Sequence, residues 1–299
     1  MITKRQAAVW GAFVADALSL GVHWVYNTGV IDKKFGRVEH YHDPLTSFHK
    51  GKKAGDFTHY GDQTLVLLET LDKDKGFDAL RFAQSWRDFF SDYTGYFDKA
   101  TKATLENMDS EGELTQSAST SDDLAGASRM APLVAVYGDN LEQLVRTARS
   151  QTAITHGDER VVTSADFFAR TVLAILNGKE PVPAMEAILN EQFADNEIAP
   201  LVHMGLQSKD RDTRETIAEF GQMCSVEVGL PGAVHLVARH GGDFKTAMVE
   251  NVMAGGDSSA RGMLAGMVLS AAHGMDAIPE EWISGLNAGE RIRTILEQF

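Results

Sequence analysis

The sequence predicts an all-α protein, a single-domain orthogonal bundle of helices over residues 1–299. Three observations predict it. Apolar residues recur at three- and four-residue spacing in most segments between turn residues. No alternating run of β-branched residues is bounded by a hairpin turn. No Pro- or Ser-rich linker divides the chain into two masses, and no internal repeat is present.

The first helix is expected over residues 6–20, with Val9, Phe13, Ala17 and Leu20 on one face. Lys4 and Arg5 precede an apolar run from Ala7 to Val25, a pattern shared with signal peptides. Asp16 interrupts that run and no small-residue cleavage site follows, so a buried helix is the better expectation. Asp16 and His23 would be costly in hydrocarbon, which also argues against a membrane span. Residues 29–60, rich in His, Lys, Gly and Asp, show little periodicity and read as a loop. Helices follow at 64–71 (Leu65, Leu68, Leu71) and 77–90 (Leu80, Trp86, Phe89, Phe90). The small polar stretch 109–123 reads as a second long loop, and long loops are more often functional. Further helices are expected at 140–148, 164–176, 184–193, 212–220 and 258–272.

Hydrophobic residues make up 43% of the chain, enough for a large core and too many for a disordered one. The 42 acidic and 28 basic residues give a net charge of -14. Such a surface repels phosphate backbones and anionic lipids, so nucleic acid and membranes are excluded as partners. A small molecule remains compatible, an anionic one included, because one cation or helix N-terminus can outweigh the mean field nearby. The lone cysteine, Cys224, allows no intramolecular disulfide, which points to the cytoplasm, and it is expected to fill core volume. Nothing in the composition sets an oligomeric state.

Two helix starts carry the chemistry. In Gly255-Gly256-Asp257-Ser258-Ser259-Ala260 a helix ends at a glycine pair and the next begins with an Asp and Ser cap. In Tyr60-Gly61-Asp62-Gln63-Thr64 another Asp and hydroxyl cluster opens a helix. Taken alone, each is an ordinary N-cap. Together they resemble the paired signatures of the ADP-ribosylglycohydrolase family, in which Thr/Ser-Asp-Asp-Thr and Gly-Gly-Asp-Thr-Asp-Thr segments converge to hold two magnesium ions. Gly11-Ala-Phe-Val-Ala-Asp16-Ala-Leu-Ser-Leu-Gly21 is similar to the family's opening helix. Ala125-Gly126-Ala127-Ser128-Arg129-Met130-Ala131-Pro132, Thr155-His156 and Ile278-Pro279-Glu280-Glu281-Trp282 also match, in the family's order.

The resemblance implies the family's helical fold and cleavage of a glycosidic bond joining ADP-ribose, or a related ribosyl group, to an acceptor. The departures are as informative. The family's Thr/Ser, Asp and Asp stand here as Gly61, Asp62 and Gln63. Its later Asp-Thr-Asp-Thr stands as Asp257, Ser258, Ser259 and Ala260. Two of four anionic ligands are gone, and magnesium prefers anionic oxygen. The expectation is one magnesium ion or none, held by Asp62, Asp257 and Ser258, with Asp62 and Asp257 as the catalytic carboxylates. Gln63 is expected to touch a ribose hydroxyl, and Gly126, Ala127 and Ser128 a pyrophosphate with help from Arg129. Trp24 and Tyr26 either stack on the nucleotide or plug the core. Asp16 is expected to satisfy buried donors and His156 to be structural, while His203, His235 and His240 lack metal-ligand spacing. Gly262 and Gly266 mark close helix packing, and no nucleophile elbow, Walker segment or dinucleotide fingerprint occurs. Two readings follow: a hydrolase with an altered or lost magnesium site, or a catalytically inactive nucleotide-binding or structural homologue.

Overall fold

A computed structural model describes residues 2–111 and 113–299; position 112, inside the expected loop at 109–123, lies outside the described residues. The first half of the chain forms α1 (Lys4–Leu20), α2 (Thr28–Phe35), α3 (His59–Asp74), α4 (Ala79–Ser91), α5 (Lys99–Glu111), α6 (Ala125–Ser128), α7 (Ala131–Tyr137) and α8 (Leu141–Ala153). The second half forms α9 (Glu159–Leu176), α10 (Pro181–Gln192), α11 (Ala199–Gln207), α12 (Thr213–Phe220), α13 (Val226–His240), α14 (Phe244–Met253), α15 (Ser258–His273), α16 (Glu280–Ser284) and α17 (Gly289–Leu296). Among the described residues there is no strand, only isolated bridges such as that between Val25 and Gly256. The fold is therefore all-helical, as the periodicity predicts.

Helices α1 and α15 form the centre. Thr3 and Gln6 cap α1 reciprocally, and every residue from Ala7 to Leu20 is buried. In α15 every residue from Ser258 to Ala271 is buried. A helix apolar on all sides belongs inside a bundle, and these two pack on each other. Their backbones touch at small residues: a Cβ on Gly11 would lie 2.4 Å from the Gly266 carbonyl oxygen. Helices α7, α9, α13 and α14 pack around this pair. Among the described residues, no helix is long and apolar enough to cross a membrane.

The expected loops are partly helical. Within 29–60, α2 forms because the Asn27 side chain accepts from Gly29 N–H at 3.0 Å, and a 3₁₀ turn spans Ser47–His49. Helix α2 buries only Ile31, which explains its weak apolar pattern. Within 109–123, α5 runs on to Glu111 and a 3₁₀ turn covers Leu114–Gln116. Helix α13 contains Pro231, which removes one helical donor and breaks the sequence signal, yet its buried surroundings hold the helix.

Candidate active site

Three loops meet at the N-terminus of α15. Gly255 and Gly256 both have positive φ, 69° and 66°, a region in which side chains with a Cβ are strained. This turn delivers Asp257 as the N-cap of α15, its Oδ1 accepting from Ala260 N–H at 3.2 Å. The Gly256 N–H donates to the Val25 carbonyl at 2.9 Å, and the Trp24 N–H donates to the Gly256 carbonyl at 2.9 Å. Asp257 N–H donates to the Gln222 carbonyl at 2.8 Å. Leu124 N–H in turn donates to the Cys224 carbonyl at 2.9 Å, and Val226 N–H to the Asp122 carbonyl at 2.7 Å. These backbone bonds fix Trp24, Cys224 and Asp123 beside Asp257.

The result is a carboxyl pair joined by a phenol. Tyr60 Oη, on the first turn of α3, lies 3.0 Å from Asp257 Oδ2 and 3.1 Å from Asp123 Oδ2. A phenol carries one proton and can donate it once. The second contact is satisfied only if one carboxyl brings its own proton and donates it to Tyr60 Oη. Asp123 is the group that does so. Burial, then the neighbouring Asp257, pushes it well above the usual carboxylate range. Asp257 is raised too, by burial, but Arg261, the Ala260 N–H and the Tyr60 hydroxyl favour its ionised form. The pair therefore shares a proton through Tyr60, with Asp123 held further toward its neutral form than Asp257.

Cys224 is half-buried rather than a core filler, and its Sγ lies within 4.8 Å of a carboxylate oxygen of both Asp123 and Asp257. Burial and the two acids push its thiol up, so it stays protonated and is no nucleophile. Trp24 Nε1 donates to Asp257 Oδ2 at 3.4 Å, and Tyr26, 49% exposed, has its phenol pushed up by burial and then by the nearby Asp257 and Asp123. Trp24 and Tyr26 are thus brought near Asp257.

Asp62 is not brought there. It lies two residues beyond Tyr60 on α3, which turns it by about 200° around the helix axis. Asp62 Oδ2 pairs with Lys52 Nζ at 2.5 Å and accepts from Tyr93 Oη at 2.6 Å. Asp62 and Asp257 share no hydrogen-bond partner. Gln63 faces inward: its Oε1 accepts from Trp86 Nε1 and Arg129 Nη1, both at 2.8 Å. Arg129 also binds Gln151 and Thr155, so its charge is spent inside the protein. Gly126, Ala127 and Ser128 are buried, and their amide N–H groups donate to the carbonyls of Asp123 and Leu124. His156 Nδ1 is paired with Thr155 Oγ1 at 2.8 Å. Asp16 is fully buried and accepts from Thr58 N–H at 2.8 Å, from Thr58 Oγ1 and from Ser259 Oγ.

These contacts test the two-magnesium arrangement directly. Gly61 offers no oxygen, and a Cβ there would sit 2.1 Å from Asp16 Oδ2. Asp62 already faces an ammonium, Gln63 an arginine, and Ser259 is bonded to Asp16. Ser258 Oγ is buried without a partner, and Ala260 has none to offer. The residues at the two signature segments do not fit a pair of magnesium ions.

Sequence reasoning missed Asp123, Tyr60 and Cys224. Asp123 stands in a polar run next to Asp122, with no local pattern to distinguish them, and only the long-range backbone bonds to residues 224–226 select it.

The all-helical fold with its helix-start carboxylates defines a glycohydrolase-like scaffold. The chain belongs to the ADP-ribosylglycohydrolase family, whose model matches residues 2–299. Among its relatives, crystallin J1A of Tripedalia cystophora is 27% identical, the match covering 99% of this chain and 96% of that one. Crystallin J1B of the same animal is 24% identical over similar shares, 99% and 96%. An uncharacterized protein of Archaeoglobus fulgidus is 26% identical, covering 97% and 93%. A solved structure described as an ADP-ribosylglycohydrolase-related protein complex superposes with a TM-score of 0.79 at 23% identity, covering 98% and 95%; it supports the fold alone.

Proposed function

We propose that the protein hydrolyses the glycosidic bond of an ADP-ribosyl or related ribosyl group through the Asp123–Tyr60–Asp257 cluster, without the family's magnesium pair. The observation that carries this reading is the single phenol shared by two buried carboxyls, Asp123 held further toward its neutral form than Asp257. Glycosidic cleavage uses such a pair: a carboxylic acid for the leaving group and a carboxylate facing an oxocarbenium-like centre. Environments that push two acids apart mark the acid and the base.

Asp123 donates its proton to the leaving atom as the glycosidic bond breaks and the electron pair departs with that atom. Asp257, whose ionised form Arg261 and the α15 N-terminus favour, stabilises the positive charge that develops on the sugar. Water then adds to the anomeric carbon and returns a proton to Asp123. Tyr60 holds both carboxyls in register, a positioning residue. Trp24 and Tyr26 supply aromatic faces for the sugar or base. A reducing, cytoplasmic setting belongs to this reading, since Cys224 sits as a thiol beside Asp123.

The names of the two crystallin relatives favour a second reading, in which the chain is a non-catalytic homologue. One experiment separates them. The protein is incubated with N- and O-linked ADP-ribosyl and ribosyl conjugates in excess chelator, and products are resolved by chromatography. Release by the parent and its loss in Asp123→Asn support the hydrolase. No release from any conjugate supports the non-catalytic reading.

A further inference from the structure

Beside the carboxyl pair lies a cluster that the proposed hydrolysis does not use. His23 follows α1, His49 closes the 3₁₀ turn Ser47–His49, and His59 opens α3. Their rings are packed together, with centroids 5.3 Å apart for His23 and His49, 5.5 Å for His49 and His59, and 6.1 Å for His23 and His59. They are 0%, 3% and 1% exposed. One ring nitrogen of each lies within 4.8 Å of one from each of the others.

Both nitrogens of His23, Nδ1 of His59 and Nε2 of His49 have no hydrogen-bond partner, while His59 Nε2 faces the Asp98 carboxylate at 3.1 Å. Each buried polar atom left so costs roughly 1–3 kcal/mol, and buried polar groups are otherwise paired. By contrast, His235 pairs both ring nitrogens, with Ser208 and Thr213, and the isolated His156 pairs Nδ1 with Thr155 and leaves one nitrogen, Nε2, without a partner. Three adjacent imidazoles with idle nitrogens need a shared partner that accepts several lone pairs at once. One nitrogen from each ring lies within 4.8 Å of one from each of the others, close enough to converge on a single atom. Neutral imidazole is the metal-ligating form.

We propose that His23, His49 and His59 form a binding site for one divalent transition-metal ion of the zinc type. An all-imidazole set suits zinc, copper, nickel or iron, and lacks the anionic oxygens that magnesium requires. The surroundings supply the rest. Asp98 Oδ2 lies 3.1 Å from His59 Nε2, placed to orient the ring once Nδ1 is ligated. Asp257 Oδ1 lies 4.0 Å from His23 Nδ1 and offsets the charge of the ion. Trp24, Phe48 and Tyr96 form an edge-to-face triangle over the rings, with centroids 5.0–5.2 Å apart. Trp24 is held at φ 61°, strained backbone for a bulky residue, with its ring 4.6 Å from that of His23. Phe48, 44% exposed, forms the solvent side of the triangle. Ligation needs the nitrogens, which lie within 4.8 Å of one another, to sit roughly 3.3 Å apart, the spacing set by zinc–nitrogen bonds near 2.0–2.1 Å.

This proposal stands independently of the hydrolase reading. The test uses chelator-stripped full-length protein titrated with cobalt(II), followed by its visible absorption, and then with zinc in competition. One equivalent of cobalt should develop intense bands typical of four-coordinate nitrogen ligation, zinc should displace it, and millimolar magnesium should not. His49→Ala and His23→Gln should each weaken binding at least about 100-fold, while His203→Ala, a surface control, retains it. Melting of the metal-free variants establishes that they fold, and a zinc-induced rise in Tm should occur in the parent and be absent from them. Absence of stoichiometric binding to the parent, or binding unchanged in both ligand variants, would overturn the proposal.

Discussion

Gln63 stands where the resemblance implies a metal-ligating Asp, yet it closes a buried network, and its removal has a calculable consequence. Gln63→Ala deletes the only acceptor for Trp86 Nε1 among the described residues and the acceptor for one guanidinium nitrogen of Arg129. Trp86 and Arg129 are 0% and 3% exposed, so water does not replace the lost bonds. A stranded neutral donor costs roughly 1–3 kcal/mol and a charged one more, which together give a destabilisation of about 4 kcal/mol. For a chain of this size each kcal/mol lowers Tm by roughly 2 °C, so the variant should melt roughly 8 °C below the parent. Gln63→Glu keeps an acceptor for both donors and pairs it with Arg129, so it should melt closer to the parent. Gln63→Asp, the family's residue, is too short to reach either donor. It should be destabilised like the alanine variant and gain no response to magnesium. Calorimetry with and without magnesium reads all three. A Gln63→Ala transition within about 2 °C of the parent, or a magnesium-dependent rise in Gln63→Asp, would refute the reasoning.

Three further predictions follow from the same contacts. Burial raises Asp16 from 3.8 to about 6 in the folded protein, despite bonds from Ser259 and Thr58. Its contribution of about 3 kcal/mol is therefore present below the unfolded value and is lost as pH rises through about 6. Urea unfolding should show Asp16→Asn losing more stability relative to the parent at pH 4 than at pH 7; an equal loss at both would contradict this. Gly61→Thr restores the family's residue but drives a Cβ into Asp16 and Phe57; overpacking should cost roughly 1–3 kcal/mol in chemical denaturation, and an unchanged midpoint would count against it. Tyr60→Phe removes the hydroxyl between Asp123 and Asp257; it should lower kcat roughly 100-fold with little change in KM, and an unaltered kcat would remove Tyr60 from the site.

The fold was legible where the apolar period was uninterrupted. Helices such as α4 and α9 place Trp86, Phe90, Phe167 and Phe168 inward at helical spacing. Helix α13 was hidden by Pro231, and α5 by its polar run Lys99–Glu111. Of the site, Asp257 was legible because a glycine pair followed by Asp and Ser has one simple structural meaning, a turn feeding a helix cap. Trp24 and Tyr26 were noticed but left undecided, because a backbone bond from Trp24 to Gly256 is invisible in sequence. The directions of Asp62 and Gln63 depend on the phase of α3 against its neighbours. That phase is set by partners as distant as Lys52, Trp86 and Arg129. The three histidines lie at unrelated spacings, so only the packing of the segment after α1 against α3 reveals them.

The central claim is that Asp123 is a neutral acid whose proton cleaves a ribosyl bond without magnesium. The most direct measurement is the pH profile of kcat for conjugate hydrolysis in excess chelator, for the parent and Asp123→Asn. Because Asp123 is held well above the usual carboxylate range, the parent should stay active past the pH at which an ordinary carboxylic acid is ionised. Its activity should fall only as pH rises through that raised value. Asp123→Asn should lose that alkaline limb together with most of its activity. Hydrolysis that requires added magnesium, or that persists unchanged in Asp123→Asn, would contradict the account.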